Sequence, residues 1–320
     1  MDEFDLINKY FSKLSKKSKN SLNLNDDVFF DKHNKLVVSV DTYTEKNHFL
    51  NFKDPDLVIK KIIRSSISDL ICKGVKPKYY FISASGNKKN FTKKNLLKIS
   101  KSLSQEQKKY NIMLGGGDTV YSNKLSFTVT SVGFSNRIVY RNKSKINDDI
   151  YVTGNLGDSF LGLLILKSKI SIKKKFSSYF INQYYKPDIR FSLVQSINKI
   201  ATSSIDISDG LIADLEKLTN RQKNSYKLFL ESIPVSKNLS SAISSKNLLK
   251  KNLISRGDDY QILFTSNIRN RLIIKKISSD KKVKITRIGK ILNKSQKSSI
   301  IDRNGHKIKI ITKGYLHRFD

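Results

Sequence analysis

The segment Ile205-Asp206-Ile207-Ser208-Asp209-Gly210-Leu211 places two carboxylates and a hydroxyl group between an apolar strand and a helix. A strand is predicted over 204–207, so the acidic residues lie at its carboxyl end. In α/β folds, that end of a strand faces the usual ligand crevice. Ser208 or Asp209 could instead cap the following helix, but capping does not explain Asp206, whose neighbours are apolar. The segment therefore predicts an α/β fold with a polar site at this turn.

Four further acidic clusters combine Asp with hydroxyl, amide or glycine neighbours. They are Asn25-Asp26-Asp27, Ser39-Val40-Asp41-Thr42, Ser68-Asp69-Leu70 and Gly115-Gly116-Gly117-Asp118-Thr119. Buried carboxylates are costly unless they are paired, hydrogen-bonded or bound to metal. Several Asp residues with hydroxyl neighbours and a glycine-rich turn are typical of sites where hard cations hold phosphates. Taken singly, each cluster is also explained by a turn, a cap or an ion pair.

The chain is strongly basic, with 61 Lys and Arg against 27 Asp and Glu in 320 residues and a formal charge of +34. A nucleic-acid surface is one interpretation. However, Lys greatly outnumbers Arg and the charges are spread along the chain, whereas nucleic-acid readers favour Arg forks and interleaved aromatics. We therefore attribute the charge to compositional drift and expect no nucleic-acid partner, although a basic field would attract anionic substrates.

Several features indicate a cytoplasmic protein. There is no run of about 18 apolar residues, so no membrane span is expected. The acidic start Met1-Asp2-Glu3-Phe4-Asp5 lacks the apolar core of a signal peptide. A single cysteine, Cys72, excludes an internal disulfide. The histidines show no metal-ligand spacing, so a zinc site is not expected.

Strand and helix patterns alternate along the chain and predict two mixed α/β domains, 1–137 and 138–320. Strands are predicted over 36–40, 79–84, 112–114, 125–134, 150–153, 204–207, 226–231, 260–265 and 283–291. Helices are predicted over 55–73, 95–110, 158–167, 187–201, 211–218 and 267–277. Residues 170–180 are expected to form a Lys- and Ser-rich loop, and Asp41 is expected to end its strand.

The clusters also occur in a characteristic order with other motifs, which include Asn47-His48-Phe49, Val152-Thr153-Gly154-Asn155-Leu156-Gly157, Gly257-Asp258-Asp259-Tyr260 and Lys313-Gly314-Tyr315-Leu316-His317. This order resembles the thiamine-monophosphate kinases, within the superfamily of aminoimidazole-ribonucleotide-synthetase-like ATP-binding enzymes. The resemblance covers nearly the whole chain, and its most specific parts are the 152–157 and 205–211 segments.

The resemblance implies a homodimer whose N-terminal domains share a β-barrel and whose C-terminal domains are αβ sandwiches. It implies transfer of the γ-phosphoryl group of ATP to thiamine monophosphate, with several Mg²⁺ ions and without a general base. The implied magnesium positions are Asp27, Ser39, Val40, Asp41, Asp69, Asp118, Asp206 and Asp209. The implied ATP contacts are Gly117, Asp118, Arg141 and Ser208, and the implied substrate contacts are His48, Asp258 and Tyr315.

The chain departs from the family pattern at a few places. Residues 22–25 and Lys46 stand where glycines are usual, and Arg256 and Asp258 alter a Gly-Gly-Glu-Asp-Tyr pattern. Another ATP-dependent enzyme of the superfamily, such as a selenophosphate or purine-pathway synthetase, is the alternative reading. The only cysteine, Cys72, lies in a predicted helix rather than in a flexible N-terminal loop, which disfavours a selenophosphate synthetase. A basic nucleic-acid-binding protein would have no use for five acidic clusters.

Overall fold

Two six-stranded sheets with flanking helices make up the computed structural model, which describes residues 1–220, 222, 224–310, 312, 314–317 and 319. The first sheet has the strand order β1-β2-β6-β3-β4, with β5 also paired to β3. Its strands are β1 (Phe29–Asp31), β2 (Leu36–Thr44), β3 (Pro77–Gly86), β4 (Met113–Gly116), β5 (Thr119–Tyr121) and β6 (Ser126–Phe134). Its helices are α1 (Glu3–Leu6), α2 (Ser12–Ser15), α3 (Pro55–Cys72) and α4 (Lys93–Tyr110), with a π-helical turn at Ile7–Phe11 and a 3-10 segment at Lys19–Leu24.

The second sheet has the order β12-β9-β11-β7-β10-β8. Its strands are β7 (Asp149–Thr153), β8 (Ser203–Asp206), β9 (Ser225–Phe229), β10 (Ile262–Ser266), β11 (Ile285–Leu292) and β12 (Ser299–Ile301). The helices of this half are α5 (Asp158–Leu166), α6 (Lys174–Tyr185), α7 (Val194–Ile200), α8 (Leu211–Thr219), α9 (Lys237–Lys246), α10 (Lys250–Ile254) and α11 (Arg271–Asp280). Short 3-10 turns precede α7 at Phe191–Leu193 and α11 at Ile268–Asn270.

Helix α3 connects the two halves. It packs on β2 and β6 of the first sheet and on β8, α6 and α7 of the second half. Pro55 fills its first position, where a missing N–H costs nothing, and Gly74 follows its end with a left-handed φ of +74°. Because α3 is covered on several sides, even Lys61 and Arg64 on it are buried. Side chains of β2, β8 and α3 can therefore meet inside the molecule, because both strands pack against this helix.

The first sheet has one covered and one open face. Along β6, residues alternate between buried and partly exposed, because α3 covers only one side. The open face and its rim carry large apolar side chains that are at least one third exposed: Val40, Phe81, Met113, Leu114, Val120, Tyr121 and Phe134. In the described part of the single chain the strand order ends at β1 and β4, so the sheet does not close into a barrel.

Two mixed α/β halves, as predicted, are confirmed, and most predicted elements occur within a few residues of their expected bounds. The boundary at 137/138 stays a prediction; it lies between the last strand of the first sheet and the first strand of the second. Within the described residues, no helix has the length and apolar character needed to cross a bilayer.

Three local predictions were wrong. The 170–180 loop is helical from Lys174, because Phe176, Phe180 and Tyr184 recur every four residues and form an apolar stripe. The helix expected from Pro187 starts only at Phe191. Strand β2 continues through Asp41 to Thr44, so this carboxylate lies within the strand and not at its end.

Several positions where glycine was expected adopt left-handed backbone angles without it. Leu22, Asn23 and Leu24 have φ of +52°, +55° and +51°, and Lys46 has +72°. An L-residue with a side chain pays about 1 kcal/mol or more in this region. These loops therefore adopt a glycine-like backbone conformation with residues that carry side chains.

A buried ion pair fixes α4 against α3, and its removal is expected to be strongly destabilising. Arg64 contacts Glu106 through Nε–Oε2 at 2.8 Å and Nη2–Oε1 at 3.0 Å, and its Nη1 donates to the carbonyl of Pro187 at 3.3 Å. Glu106→Ala leaves the guanidinium uncompensated, so we expect the free energy of unfolding to fall by about 3 kcal/mol. Urea denaturation measures this. A loss no larger than that of Asp280→Ala, at an exposed carboxylate, would contradict the assignment.

Candidate active site

Three carboxylates from separate elements interact inside the molecule, and of these Asp206 is buried whereas Asp41 and Asp69 are partly buried. Asp41 comes from β2, Asp69 from α3 and Asp206 from the end of β8. The negative charges of Asp41 and Asp206 both act on Asp69, and the charge of Asp41 acts on Asp206. We call these three residues the acidic centre. Its members come from the first sheet, the connecting helix and the second sheet, so the site is assembled from both halves of the chain.

Hydroxyl groups provide only part of the solvation that these carboxylates have lost. Ser68 donates its Oγ–H to Oδ2 of Asp206 at 2.7 Å. Oδ2 of Asp41 is buried and has no hydrogen-bond partner among the described residues. On the same inward side of β2, Ser39 donates to the carbonyl of Ser66 at 3.4 Å, whereas Val40 points outward and is exposed. An orphaned buried carboxylate oxygen indicates that the site is completed by another group.

Burial raises the pKa values of all three carboxyl groups. Loss of solvation raises the pKa of Asp41 to about 7, against a lowering by the Ser66 hydrogen bond. It raises the pKa of Asp206 to about 7 as well, with the Ser68 hydrogen bond opposing and the charges of Asp214 and Asp41 adding to it. The pKa of Asp69 lies well above the usual range because of burial and the charges of Asp41 and Asp206. Protons or cations must therefore neutralise the acidic centre.

The donor set fits magnesium bound together with phosphates. Among the described residues, no three His, Cys, Asp or Glu side chains are close enough to enclose one ion by themselves. Mg²⁺ usually keeps several waters and takes only one or two carboxylates besides phosphate oxygens. The unpartnered oxygen of Asp41 and the hard oxygen ligands of the centre match that requirement.

A second acidic group, Asp26 and Asp27, is already neutralised by cationic side chains; we call it the acid pair. Nζ of Lys73 lies 2.7 Å from Oδ1 of Asp26 and 2.7 Å from Oδ2 of Asp27. Arg141 contacts Asp27 through Nη2, and also through Nε at 3.1 Å. The backbone N–H of Arg141 donates to Oδ2 of Asp26 at 2.9 Å. The predicted ATP contact Arg141 thus binds the predicted metal position Asp27.

The glycine-rich loop lies at some distance from the acidic centre. A Cβ on Gly117 would lie 1.8 Å from the carbonyl oxygen of Ile82, so only glycine permits the close approach to β3. Asp41 pairs with Val129 on β6, and Val129 pairs with Ile82 on β3. The glycine-rich loop lies one strand spacing beyond β3, so three spacings separate it from β2. At about 4.8 Å per spacing, Asp118 is about 14 Å from Asp41 across the sheet. Asp118 is exposed, and the structure does not bring it to the other predicted metal positions within one chain.

The turn after β8 is held by bonds that the sequence did not predict. Neither Ser208 nor Asp209 caps α8; instead Oδ2 of Asp214 accepts the backbone N–H groups of Asp209 and Gly210, each at 3.0 Å. Asp209 forms an ion pair with Lys217, which also contacts Asp214 at 2.9 Å. The helix-cap alternative is therefore wrong, and Asp209, like Asp27, already has a cationic partner.

The predicted substrate residues belong to one connected aromatic and polar cluster. The ring centroid of His48 lies 5.4 Å from that of His317, which lies 4.9 Å from the ring of Tyr315. Tyr184 donates its hydroxyl to the carbonyl of His48 at 3.1 Å. The ammonium group of Lys61 lies 3.5 Å from the Tyr184 ring centroid and 2.7 Å from Oδ1 of Asp258.

His48 is a neutral group in this cluster. Burial lowers the pKa of His48 to about 4, with further lowering by the charges of His317 and Lys61. Its Nδ1 accepts the backbone N–H of Thr44 at 3.0 Å, which leaves Nε2 as the protonated nitrogen. His48 can therefore donate a hydrogen bond from Nε2 at neutral pH but cannot supply a positive charge.

The C-terminal segment reaches the turn that follows β8. The backbone N–H of Tyr315 donates to the carbonyl of Asp209 at 2.9 Å. Lys313, the first residue of the predicted tail motif, lies outside the described residues. This contact places the substrate cluster directly beside the segment that contains Asp206 and Ser208.

Sequence reasoning missed the roles of Lys61, Lys73, Lys217 and His317. Lysines are so frequent in this chain that three more gave no signal. The available hint was their position, because Lys61 and Lys73 lie on or directly after an otherwise apolar helix. His317 belongs to the predicted tail motif, but no contact between its ring and His48 was expected.

A cleft of about 520 Å³ opens beside the acid pair. It is lined by Lys16, Lys19, Leu22, Asn23, Asn25, Asp26, Tyr140, Arg141, Asn142 and Lys143. Its volume falls in the range of small-molecule sites, and its basic side chains favour an anionic ligand.

Comparison with known proteins identifies close similarity over the whole chain. The family model for the AIR synthase related protein, N-terminal domain, matches residues 25–135. The thiamine-monophosphate kinase of Buchnera aphidicola from Acyrthosiphon pisum is 36% identical, with 98% of this chain and 98% of that protein aligned. The thiamine-monophosphate kinase of Escherichia coli K12 is 31% identical, again with 98% of each chain aligned. The solved structure of AaThiL complexed with AMPPCP and TMP matches with a TM-score of 0.85 and 27% identity, over 99% of this chain and 97% of that chain.

The raised pKa values predict how stability depends on pH when no metal is present. A carboxyl group with a pKa of about 7 in the folded chain and 3.8 when unfolded stabilises the fold below pH 4 and loses this contribution as pH rises through 7. Asp206→Asn keeps a neutral side chain at every pH. In EDTA, we expect its stability relative to the wild type to rise by roughly 2 kcal/mol between about pH 5 and pH 8.

Chemical denaturation at the two pH values measures this difference, and the paired comparison cancels titration elsewhere in the chain. A difference that stays constant with pH would mean that Asp206 is ionised in the metal-free fold. Mg²⁺ at pH 8 should stabilise the wild type more than the variant.

Proposed function

Because the chain belongs to the thiamine-monophosphate kinase family, we propose that it transfers the γ-phosphoryl group of ATP to the phosphate of thiamine monophosphate, giving thiamine diphosphate. The observation that carries the proposal is the acidic centre, three buried or partly buried carboxylates that need cations, next to a cluster that contains His48, Asp258 and Tyr315. The similarity to the complex of AaThiL with AMPPCP and TMP supports the same assignment.

The chemistry requires positioning and charge neutralisation rather than a strong base. The acceptor is itself a phosphate that is largely ionised near neutral pH, so no side chain has to remove its proton. Magnesium, when bound, would neutralise the two phosphate groups that must approach each other. The chain's own contribution is to hold the phosphates in line and to exclude water, and no general base is proposed.

The acidic centre of Asp41, Asp69 and Asp206 is proposed to hold the magnesium ions. Asp209 and oxygen atoms of Ser39 and Val40 are proposed to complete the set, whereas Asp118, about 14 Å from Asp41 within one chain, stays a prediction. Asp27 belongs to the same set by sequence, but in this chain two cationic side chains already contact its carboxylate.

ATP is proposed to bind through Gly117, Asp118, Arg141 and Ser208. The cleft beside the acid pair supports this placement, because Arg141 lines it together with Lys16, Lys19 and Lys143. A guanidinium group can bind a phosphate with two parallel hydrogen bonds. Arg141 is held in place by Asp27, so its direction is set before the nucleotide arrives.

Thiamine monophosphate is proposed to bind against His48, Asp258 and Tyr315. Its thiazolium ring is cationic, so the face of Tyr315 and the carboxylate of Asp258 are suitable contacts. Lys61 sits beside Asp258 and offsets part of its charge. Neutral His48 would orient a polar group of the substrate by donating a hydrogen bond.

We further propose that two chains associate through the open face of the first sheet. The exposed side chains Val40, Phe81 and Tyr121 are 62%, 41% and 75% accessible, and they lie on or beside the same sheet. A contiguous apolar sheet surface of this kind is typical of protein interfaces. A second copy would cover it and could complete the barrel that one sheet leaves open.

The activity test is a direct assay of thiamine diphosphate formation from thiamine monophosphate, ATP and Mg²⁺. We expect Asp206→Asn to lower kcat by more than about a hundredfold, because one carboxylate of the acidic centre loses its charge. Circular dichroism should show an unchanged fold, since Asn keeps the size of the side chain and can still accept from Ser68.

Asp280→Asn, at an exposed carboxylate on α11, is the matched control and should retain full activity. A wild-type rate in Asp206→Asn would remove Asp206 from the metal site. Turnover with another phosphate acceptor, but none with thiamine monophosphate, would favour the alternative superfamily reading.

The association test uses Phe81→Glu on the open face. A carboxylate buried between two sheets is unfavourable, so we expect the variant to sediment as a single chain where the wild type sediments as a dimer. Leu272→Glu, at an exposed leucine on α11 that is 82% accessible, is the control and should leave the dimer intact. A single-chain mass for the wild type at micromolar concentration would refute the association.

A further inference from the structure

Lys73 is a fully buried cation whose three donors are all used. Its side chain has no exposed surface, and its Nζ contacts Asp26 at 2.7 Å and Asp27 at 2.7 Å. The same Nζ donates to the carbonyl oxygen of Ser204 on β8 at 2.8 Å. An ammonium group has three N–H donors and no acceptor, so these contacts satisfy it completely.

The backbone around Lys73 is also fixed. The residue follows α3 directly, and its N–H donates to the carbonyl of Asp69 at 3.4 Å. Its own carbonyl accepts the N–H of Val139 at 3.0 Å. The backbone of Lys73 is therefore fixed at the end of α3, and its side chain connects the acid pair to the second sheet.

The three oxygen atoms around Nζ are ligands that a hard cation would accept. Two are carboxylate oxygens and one is a backbone carbonyl oxygen, and they converge on one point. Magnesium–oxygen distances are about 2.1 Å, so the oxygens would have to move inward by only about 0.6–0.7 Å to hold an ion there. The ammonium group occupies the place that such an ion would take.

The two negative charges of the acid pair require two positive charges close to them. Arg141 offsets one of the two carboxylates of the acid pair, and Lys73 offsets the other. Two carboxylate oxygens lie 2.7 Å from the ammonium group and favour its charged form, so a divalent ion placed beside it would be repelled.

We propose that Lys73 is a built-in cation that replaces one exchangeable divalent ion at the acid pair, so that Asp27 positions Arg141 instead of binding metal. The proposal rests on the proposed function in one respect, because it takes the acidic centre to be the metal-binding part of the site. Lys73 is a positioning residue in this account and contacts neither substrate.

The test counts bound Mn²⁺, a magnetic substitute for Mg²⁺, by electron paramagnetic resonance on the nucleotide-free protein. We expect Lys73→Met and Lys73→Gln to bind one more Mn²⁺ per chain than the wild type. Met and Gln are each one heavy atom shorter than Lys, so both remove the charge and vacate the position of Nζ, and Gln also offers an amide oxygen as a ligand. Lys73→Met should also melt at a lower temperature in EDTA and recover with Mg²⁺ to a greater extent than the wild type does.

Lys61→Met is the matched control. Lys61 is an equally buried lysine in an ion pair with an aspartate, but its partner Asp258 lies outside the acid pair. Its loss should lower the melting temperature without adding a bound ion. Adding Asp26→Asn to Lys73→Met removes one of the two carboxylates and should abolish the extra ion.

The outcomes separate this inference from the proposed function. An unchanged Mn²⁺ count in both Lys73 variants would overturn the inference, and so would failure of both variants to fold in millimolar Mg²⁺. A wild-type protein that binds no Mn²⁺ at all would instead count against the acidic centre as a metal site. If the Lys73 variants bind one more Mn²⁺ than the wild type and Lys61→Met does not, the inference is supported, whether or not the wild type itself binds Mn²⁺.

Discussion

The loss of solvation around three neighbouring carboxylates is the constraint that organises this molecule. Burial makes Asp41, Asp69 and Asp206 less stable when ionised, and the charges of neighbouring carboxylates add to this at Asp69 and Asp206. Such an arrangement is costly to fold, and it persists because the three residues belong to well-packed elements. The stable packing of β2, α3 and β8 thus supports a polar group that would not form by itself.

The surrounding residues divide the acidic side chains into two kinds. In the acidic centre, Ser68 donates to Asp206, and among the described residues no lysine or arginine forms an ion pair with the three carboxylates, so their charge remains available for cations. At the acid pair and at Asp209, lysine or arginine side chains already provide compensation. The same residue type therefore has different chemistry in different parts of the site, and the difference depends on neighbours that are far apart in the sequence.

The sequence predicted the mixed α/β class, the position of α3 and the turn after β8, because these depend on local periodicity and on glycine and proline signals. It identified Asp41, Asp69 and Asp206 as members of one site only through the order of the motifs. Local patterns could not show that Asp118 lies several strands away, since this depends on the strand order of the sheet. They also could not show the pairing of Lys73 with the acid pair, because the sequence separation of these residues gives no periodic signal.

The left-handed residues at 22–24 and Lys46 have a consequence for the motions of the protein. These loops lie next to the acid pair and to His48, and their backbone conformation is held by tertiary contacts against an intrinsic preference. Local unfolding there releases backbone strain and leaves the pairing of the sheets intact, so these loops are expected to open at a lower free-energy cost than the sheets. Because the carboxylates between the two segments belong to β2, α3 and β8, they are expected to keep their positions when the loops open.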